Sequence, residues 1–398
     1  MKKTILIMGA SANERPAIRT AMALGLNTVV VDQNRNAPGF REPGVIKEFS
    51  SIADVENMLK LAERYAVDGV LTFVDAGIPS QKAIVKRFGL PGISEETAHF
   101  GTDKTAMRQR LNECGIPIPA FYIVRTKDEL LEAVSHFAGH CVVKAPDQAG
   151  SRGIYLLKNV QDPDETDYAW QYCMSFSGTG ELLIEEFMEG PEICVETVSQ
   201  NGVCYALQIT DQLYKHPPYF TDIGSSQPVL YAPALQDRIR RFAIEANLAL
   251  GNNNGSSNTE MIITPQGPKI IEVNMRPSGD FIATESVQMT TGINMCEAVI
   301  KIALGEPIDV TPTLQKGACV RYFTKERVGI IRAIAGLEEA KKVPGIQEVG
   351  TLKTVGDTAC PLRKSSDRLA YVIARCDTVE EAIHTADRAL DLIDFIVE

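Results

Sequence analysis

Short apolar segments alternate with helical segments over the first 75 residues, and this alternation restricts the fold more than any other feature of the sequence. Amphipathic stretches at 14–25 and 53–66 separate the apolar segments. Strands separated by helices pair in parallel with right-handed crossovers, and ligands of such sheets bind at the carboxyl ends of the strands. The sequence predicts a parallel α/β region with strands at 4–8, Thr28–Val31 and Gly69–Phe73, and with Gly9, Ser11, Asp32 and Asp75 at their carboxyl ends.

The turn after the first strand, Gly9-Ala10-Ser11-Ala12-Asn13, lacks the GxGxxG pattern that holds a dinucleotide pyrophosphate. A dehydrogenase is therefore disfavoured. The turn is either a plain connection from strand to helix or a contact to substrate.

Composition argues against several other classes. A formal net charge of −11 over 398 residues disfavours a broad nucleic-acid surface, which needs clustered lysine and arginine. No apolar run of about 20 residues is present, so no membrane span is predicted. Nine cysteines without a CxxC pair or zinc-site spacing fit buried thiols in a reducing compartment. We expect a cytoplasmic protein.

Beyond Pro91-Gly92 the chain becomes richer in β segments. Two strands, Asn258–Ile263 and Lys269–Val273, are joined by a turn that contains proline and glycine, and they predict a hairpin. From about residue 310 the pattern is α+β. Further strands are predicted at Ala120–Val124, Cys141–Ala145, Ile154–Leu157, Leu182–Phe187 and Ile193–Gln200, and further helices at Lys104–Glu113, Asp128–His136 and 229–250.

A glycine-containing loop follows the apolar strand that ends near Lys144. Backbone N–H groups of such a loop approach a phosphate without side-chain clashes, and lysine and arginine add positive charge. The alternative is an ordinary glycine hairpin with a lysine at its base. The residues of this candidate phosphate loop are Lys144, Gln148, Gly150, Ser151, Arg152 and Gly153.

The segment Leu182–Glu192 passes from a buried strand through a turn into a second strand. An adenine ring needs an apolar slot with a few polar groups at its edge. Glu192 is placed to accept hydrogen bonds from ribose hydroxyls. A β-turn with solvated glutamates is the alternative.

Acidic side chains occupy both strands of the predicted hairpin. Glu272, Asn274 and Arg276 alternate and so share one strand face, with Ile271 and Val273 on the other. Cross-strand pairing would bring Glu260 beside Glu272. Two adjacent carboxylates repel each other unless cations lie between them, and Mg²⁺ prefers such oxygen ligands. The hairpin therefore predicts a magnesium site, with Arg276 placed for a transferring phosphoryl group, against the alternative of a solvated polar face.

Two further segments are candidates. Lys104 stands at a helix start, where anions are attracted, although most such lysines are surface charges. The segment Thr210–Phe220 is dense in aromatic residues and proline. It predicts one wall of a substrate pocket with His216 as a base, or else a structured loop. Asp222 and Gln227 follow closely in sequence.

In this order the segments resemble the ATP-grasp superfamily, especially its carboxylate–amine (L-amino acid) ligase branch, over nearly the whole chain. The resemblance implies magnesium ligation by Glu260, Glu272 and Asn274, with Arg276 and Lys144 as the catalytic residues that stabilise phosphate. It also implies ATP contacts from Lys104, Lys144, Gly150, Ser151, Arg152, Gly153, Glu185, Glu186, Met188 and Glu192.

The resemblance implies three parts: a Rossmann-like N-terminal domain (1–95), an ATP-grasp core of two β-rich lobes (96–309, small lobe about 120–190) and a C-terminal α+β cap (310–398). It implies an ATP-dependent ligase that uses two Mg²⁺ ions, which Mn²⁺ can replace. Such an enzyme joins a small-molecule carboxylate to an amine through an acyl phosphate and releases ADP and phosphate. Relatives are often homodimers.

Two positions depart from the pattern of the family. Asn258 stands where histidine is common, two residues before the first metal glutamate, and Pro277-Ser278-Gly279-Asp280 stands where a Gly-Gly pair is common. Both lie near the expected acceptor site. Activation of bicarbonate or formate, and nucleotide binding without catalysis, are the alternatives to the ligase. The expected substrate contacts are His216, Asp222, Gly279 and Asp280.

Overall fold

The computed structural model describes residues 2–148, 150, 152–214 and 220–398. Two predicted site residues, Ser151 and His216, lie outside the described residues. Over the described part of the chain there are four sheets, one parallel and three antiparallel. The predicted fold class is confirmed: a parallel α/β N-terminal region, two β-rich lobes and an α+β C-terminal region.

The N-terminal region is a parallel sheet with strand 1 at its centre. Ile5 and Ile7 face one hydrophobic cluster, while Leu6 and Met8 face another. Because both faces of the sheet are covered, strand 1 is apolar from Ile5 to Met8. The order is β3-β2-β1-β4, with strands β1 (Thr4–Met8), β2 (Asn27–Val31), β3 (Ile46–Glu48) and β4 (Gly69–Thr72), helices α1 (Arg15–Ala23), α2 (Val55–Arg64) and α3 (Ile78–Phe88), and short 3₁₀ turns at Pro38–Arg41 and Asp75–Gly77.

The small lobe is an antiparallel sheet of order β5-β8-β6-β7 covered by two helices. Two helices precede it, α4 (Glu95–Thr102) and α5 (Lys104–Glu113). The small lobe was predicted, but its second helix was not. Its elements are β5 (Phe121–Val124), α6 (Lys127–Ser135), β6 (Cys141–Lys144), β7 (Ile154–Leu157), α7 (Pro163–Met174) and β8 (Leu182–Glu186).

The remaining chain builds one eight-stranded antiparallel sheet and a small three-stranded one. The predicted hairpin is confirmed and is longer than expected. The strands are β9 (Glu192–Gln200), β10 (Val203–Tyr214), β11 (Asp222–Gln227), β12 (Gly255–Thr264), β13 (Gly267–Asn274), β14 (Gly317–Tyr322), β15 (Gly329–Ala335), β16 (Ile346–Thr351), β17 (Thr358–Ala359), β18 (Ala370–Cys376) and β19 (Asp394–Val397). The helices are α8 (Pro233–Ala249), α9 (Val287–Thr291), α10 (Met295–Ala303), α11 (Leu337–Lys341) and α12 (Val379–Asp391), with a π-helical turn at Ile282–Ser286 and a 3₁₀ turn at Ser365–Asp367.

The large sheet runs through both the core and the C-terminal region, in the order β13-β12-β9-β10-β11-β14-β18-β16. Ser226 of β11 pairs with Cys319 of β14 at the junction. The C-terminal region was expected as an α+β cap. Its strands β14, β18 and β16 extend the sheet of the core, which fixes this region relative to the strands that carry the predicted metal residues.

The N-terminal sheet is also tied to the core. Helix α10, more than 200 residues later, packs Cys296 and Ile300 against Ile5 and Ile7. A Cβ at Gly69 would lie 2.7 Å from the carbonyl oxygen of Ala303, so glycine permits this close approach. No helix in the described ranges is long and apolar enough to cross a membrane.

One buried arginine joins three parts of the fold. Arg108 on α5 is fully buried. Its Nε donates to Glu185 of the small lobe at 2.7 Å, and its Nη1 donates to the carbonyl of Ile270 in the large sheet at 3.0 Å. A second donation reaches the carbonyl of Ile271. These bonds satisfy a charge that would otherwise be costly to bury.

Glu285, in the π-helical turn, is a partly buried acid whose charge interacts with Arg19 of the N-terminal region and Glu348 of the C-terminal region. Burial, together with the charge of Glu348, raises the pKa of Glu285 to about 7, although Arg19 opposes this. The carboxyl group is therefore protonated in the folded protein at pH values where it is ionised in the unfolded chain.

We predict that Arg108→Ala destabilises the protein by roughly 3 kcal/mol, because it leaves buried acceptors without their donor. The measurement is the melting temperature by differential scanning calorimetry. Arg110→Ala is the matched control, since Arg110 lies on the same helix with a side chain 40% exposed. An equal loss in both variants would contradict the role assigned to Arg108.

We predict that Glu285→Gln stabilises the protein more at pH 8 than at pH 5. The ordinary pKa is 4.5 and the folded pKa is about 7. Between these values the native state binds the extra proton, so the free energy of unfolding falls as the pH rises from 4.5 to about 7 and changes little above that. Melting temperatures of both proteins from pH 5 to pH 8 test this, and a gap that does not grow with pH would refute it.

Candidate active site

A cavity of about 410 Å³ lies where the small lobe, the large sheet and the carboxyl end of β4 meet. Most predicted site residues line this one space, although they come from regions up to 176 residues apart in the sequence. Those in its wall are Lys104, Lys144, Gly150, Glu185, Glu186, Met188, Glu192, Asp222, Glu260, Glu272, Asn274, Arg276, Gly279 and Asp280.

The candidate phosphate loop is divided between the cavity and the small lobe. Gln148 and Gly150 belong to the cavity wall, whereas Arg152 and Gly153 do not. Gly153 has a φ of +64°, and a Cβ there would lie 2.8 Å from Cβ of Phe176. This glycine is therefore required for packing, and the ATP contacts expected from Arg152 and Gly153 stay predictions.

The predicted metal residues converge as the hairpin register requires. Glu260 of β12 pairs directly with Glu272 of β13, and Asn258 pairs with Asn274. The Asn274 Nδ2 donates to Glu260 Oε1 at 3.2 Å. This arrangement leaves the amide oxygen of Asn274 for another partner.

A β-bulge follows this pair. The register shifts between Glu260 and Met261, so that Met261 pairs with Ile270 and Ile271 is passed over. The prediction that Ile271 shares the buried face with Val273 is wrong. Ile270 takes the core position, and Ile271 lines the cavity beside Glu272. A bulge inserts one residue and so re-aims the side chains that follow it.

The oxygen atoms of Glu260, Glu272 and Asn274 are ligands that suit a hard divalent cation. Burial, and then the adjacent charges of Glu272 and Glu192, raise the pKa of Glu260 to about 8. A cation would relieve this repulsion. Among the described residues no three His, Cys, Asp or Glu side chains are placed to hold a metal by themselves. Mg²⁺ would therefore need Glu260, Glu272 and Asn274 together with phosphate oxygens of a ligand, which is its usual mode of binding.

Three cations point into the cavity, and each is held by a carboxylate. Lys104 Nζ lies 2.8 Å from Glu272 Oε1, and Lys144 Nζ lies 2.6 Å from Glu185 Oε2. Burial acts to lower the pKa of Lys104, but Glu272 and Asp75 raise it. Lys104 therefore stays charged.

The third cation, Arg276, reaches the N-terminal region. Its Nε and Nη2 donate to the two carboxylate oxygens of Asp75 at 2.7 and 2.8 Å. Such a bidentate pair fixes the plane of the guanidinium group. Asp75 was expected only as a residue at the carboxyl end of a strand, and the structure shows which side chain it orients.

The adenine side of the predicted site lies between the lobes. The Glu186 carboxylate accepts from Lys269 Nζ at 2.8 Å and from the backbone N of Ala120 at 3.1 Å, so it joins the small lobe to the large sheet. Burial raises the pKa of Glu192 to about 7, with the charge of Glu272 adding to this. Met188 is buried beside them.

Three of the predicted substrate contacts, Asp222, Gly279 and Asp280, line the cavity, and the C-terminal region contributes partners to them. Asp280 accepts from Arg368 Nη2 at 2.7 Å and from the hydroxyl of Tyr322 at 2.9 Å. Burial, and then the nearby charge of Asp280, raise the pKa of Asp222 well above its usual range. A Cβ at Gly279 would meet no atom within 4 Å, so the wall is open there.

Sequence reasoning missed Arg108, Tyr322 and Arg368. Arg108 follows Lys104 by four residues and so lies on the same helix face, which was a usable signal. For Tyr322 and Arg368 no local signal existed, because they meet Asp280 of the cavity wall only when the C-terminal region packs against the core.

Comparisons with known proteins agree with this architecture. Residues 101–280 match the family model described as ATP-grasp domain, and residues 321–398 match the one described as L-amino acid ligase C-terminal domain 2. An uncharacterised protein of Sinorhizobium fredii is 26% identical over 339 residues, which are 85% of this chain and 70% of that protein.

Two relatives align from end to end. The formate-dependent phosphoribosylglycinamide formyltransferase of Bacillus subtilis is 24% identical over 398 residues, with 98% of each chain covered. The solved structure of the L-amino acid ligase from Bacillus licheniformis aligns over 100% of both chains, with a TM-score of 0.87 at 21% identity. Residues 101–280 therefore form an ATP-grasp domain and residues 321–398 a C-terminal domain of the L-amino acid ligase type, in a chain whose whole fold is that of the ligase from Bacillus licheniformis.

Proposed function

We propose that this chain is an ATP- and Mg²⁺-dependent ligase that joins a small-molecule carboxylate to an amine and releases ADP and phosphate. The observation that carries the proposal is the convergence of Lys104, Lys144 and Arg276 with the Glu260–Glu272 pair on one cavity. The match of the C-terminal region to L-amino acid ligases supports an amino acid as one substrate. The proposal includes a cytoplasmic enzyme, alone or as a homodimer.

The reaction has two steps. A carboxylate oxygen attacks the γ-phosphorus of ATP, the bond to the β–γ bridging oxygen breaks, and ADP leaves. The amine nitrogen then attacks the acyl carbon of the mixed anhydride, phosphate leaves with the bonding electrons, and the nitrogen loses a proton. Bound Mg²⁺ would neutralise part of the negative charge on the phosphates of ATP. Phosphoryl transfer needs little covalent help from protein, so positioning and charge are the main contributions.

Lys104, Lys144 and Arg276 supply positive charge from side chains that are already held in position. Lys144 and Lys104 are held by Glu185 and Glu272, at 2.6 and 2.8 Å. Arg276 is held in one plane by Asp75. Charges fixed before the reaction stabilise developing negative charge more effectively than mobile ones.

Activation of formate is the second candidate. The observation that favours it is the end-to-end match to the formate-dependent formyltransferase of Bacillus subtilis. Bicarbonate is the third acid to consider. Since all three reactions release ADP, an assay of ADP release with each acid in turn distinguishes them.

The test of the proposal is ADP release by the purified chain, with ATP and MgCl₂, across pairs of amino acids and with formate or bicarbonate as the acid. We expect release that depends on an amino-acid pair and on Mg²⁺. Glu272→Ala is the blank and should reduce the rate by at least about 100-fold. Release with formate alone would favour the second candidate, and no release with any acid would refute the ligase.

We predict that Asp75→Asn lowers the turnover number about tenfold while the dissociation constant for MgADP stays within about twofold. The substitution keeps the shape of the side chain and removes the charge that orients Arg276. Asp68→Asn is the matched control, because Asp68 precedes the same strand and bonds to the backbone N of Thr4 instead. A wild-type turnover number in Asp75→Asn would contradict the positioning role.

A further inference from the structure

The two positions at which this sequence departs from the family pattern form one hydrogen-bonded unit. Asn258 Nδ2 donates to Ser278 Oγ at 2.5 Å. The Ser278 hydroxyl then donates to Glu196 Oε1, and the Ser278 backbone N donates to Glu196 Oε2 at 3.2 Å. Glu196 was not among the predicted site residues.

The unit continues to the predicted metal residues. Asn274 Nδ2 donates to Asn258 Oδ1 at 2.8 Å and to Glu260 Oε1 at 3.2 Å. Glu196, Asn258 and Asn274 stand directly opposite one another across three neighbouring strands. An unbroken series of hydrogen bonds therefore connects Glu260 with Glu196, and both carboxylates accept.

All four polar residues of the unit are buried: Glu196 is 0% exposed, Ser278 1%, Asn258 3% and Asn274 6%. Each must satisfy its donors and acceptors inside the protein. An amide can present either its oxygen or its nitrogen in a given direction, and its neighbours decide which. The Glu196 carboxylate, at one end of this unit, accepts from Ser278. The Ser278 hydrogen therefore points toward Glu196, and the lone pairs of the Ser278 oxygen face Asn258. Asn258 in turn accepts from Asn274, which turns the Asn274 oxygen away.

We propose that Glu196 is a positioning residue for the divalent-cation site: acting through Ser278 and Asn258, it fixes the Asn274 amide so that its oxygen is available as a ligand beside Glu260. The same bonds hold the turn 277–280, which brings Gly279 and Asp280 to the cavity wall. The inference rests on the proposed function in so far as Asn274 and Glu260 bind Mg²⁺ with a nucleotide.

The experiment measures ADP binding by isothermal titration calorimetry over a series of MgCl₂ concentrations, with the full chain. The variants are Glu196→Met, Ser278→Ala and the double variant. We expect each single variant to need about tenfold more Mg²⁺ for half-maximal enhancement of ADP affinity, as is typical when a partner of a metal ligand is lost. The double variant should need no more than either single one, because the residues act as one unit. ADP affinity without Mg²⁺ should be unchanged.

A matched control separates positioning from loss of stability. Val198→Ala truncates a fully buried side chain on the same strand, two residues from Glu196 and outside the unit. It should lower the melting temperature and leave the Mg²⁺ dependence as in wild type.

Two results would overturn the proposal while the proposed function stands: wild-type Mg²⁺ dependence in Glu196→Met or Ser278→Ala, or effects that multiply to about 100-fold in the double variant. A Mg²⁺ shift in Val198→Ala equal to that in Glu196→Met would overturn it as well. Wild-type protein whose ADP binding does not depend on Mg²⁺ would refute the proposed function, and this inference with it.

Discussion

The geometry of the candidate active site depends on the hydrogen bonds of one buried guanidinium group, that of Arg108. Arg108 donates to Glu185 in the small lobe and to the carbonyls of Ile270 and Ile271 in the large sheet. Those carbonyls belong to the β-bulge, where the regular ladder is interrupted. A single side chain thus stabilises the bulge and joins it to the lobe that carries Lys144. The bulge in turn places Ile271 in the cavity wall next to Glu272, while Ile270 and Val273 stay in the core.

The electrostatics of the cavity follow from this geometry. The cavity wall contains both carboxylates and cations, and the three cations are already paired: Lys144 with Glu185, Lys104 with Glu272 and Arg276 with Asp75. Glu260 has no such cation of its own at ion-pair distance among the described contacts, and its pKa rises to about 8 as a result of burial and neighbouring charge. A divalent cation at this point would relieve the repulsion among these carboxylates, which is the physical basis on which the magnesium site is proposed.

Much of the fold was predictable because its elements are locally encoded. Strand β1 and helix α5 begin and end where the sequence indicated, and the pairing of Glu260 with Glu272 follows from a hairpin whose register is set by a short turn. Ile271 was misplaced because simple alternation does not reveal a bulge. The extension of the large sheet by β14 could not be predicted either, since pairing between β11 and β14 joins residues about 90 apart and has no local pattern.

The residues that sequence reasoning missed share a physical cause. Arg108, Glu196 and Arg368 act on site residues through side-chain bonds that cross between elements, so their roles exist only once the strands and helices have packed. Two of their partners, Glu185 and Asp280, were among the predicted site residues, whereas Ser278, the partner of Glu196, was not. The supporting residues are less restricted, since several polar types can hold an amide or a carboxylate in place. Asn258 and Ser278, where the sequence departs from the family pattern, complete the hydrogen bonds that connect Glu196 with Asn274.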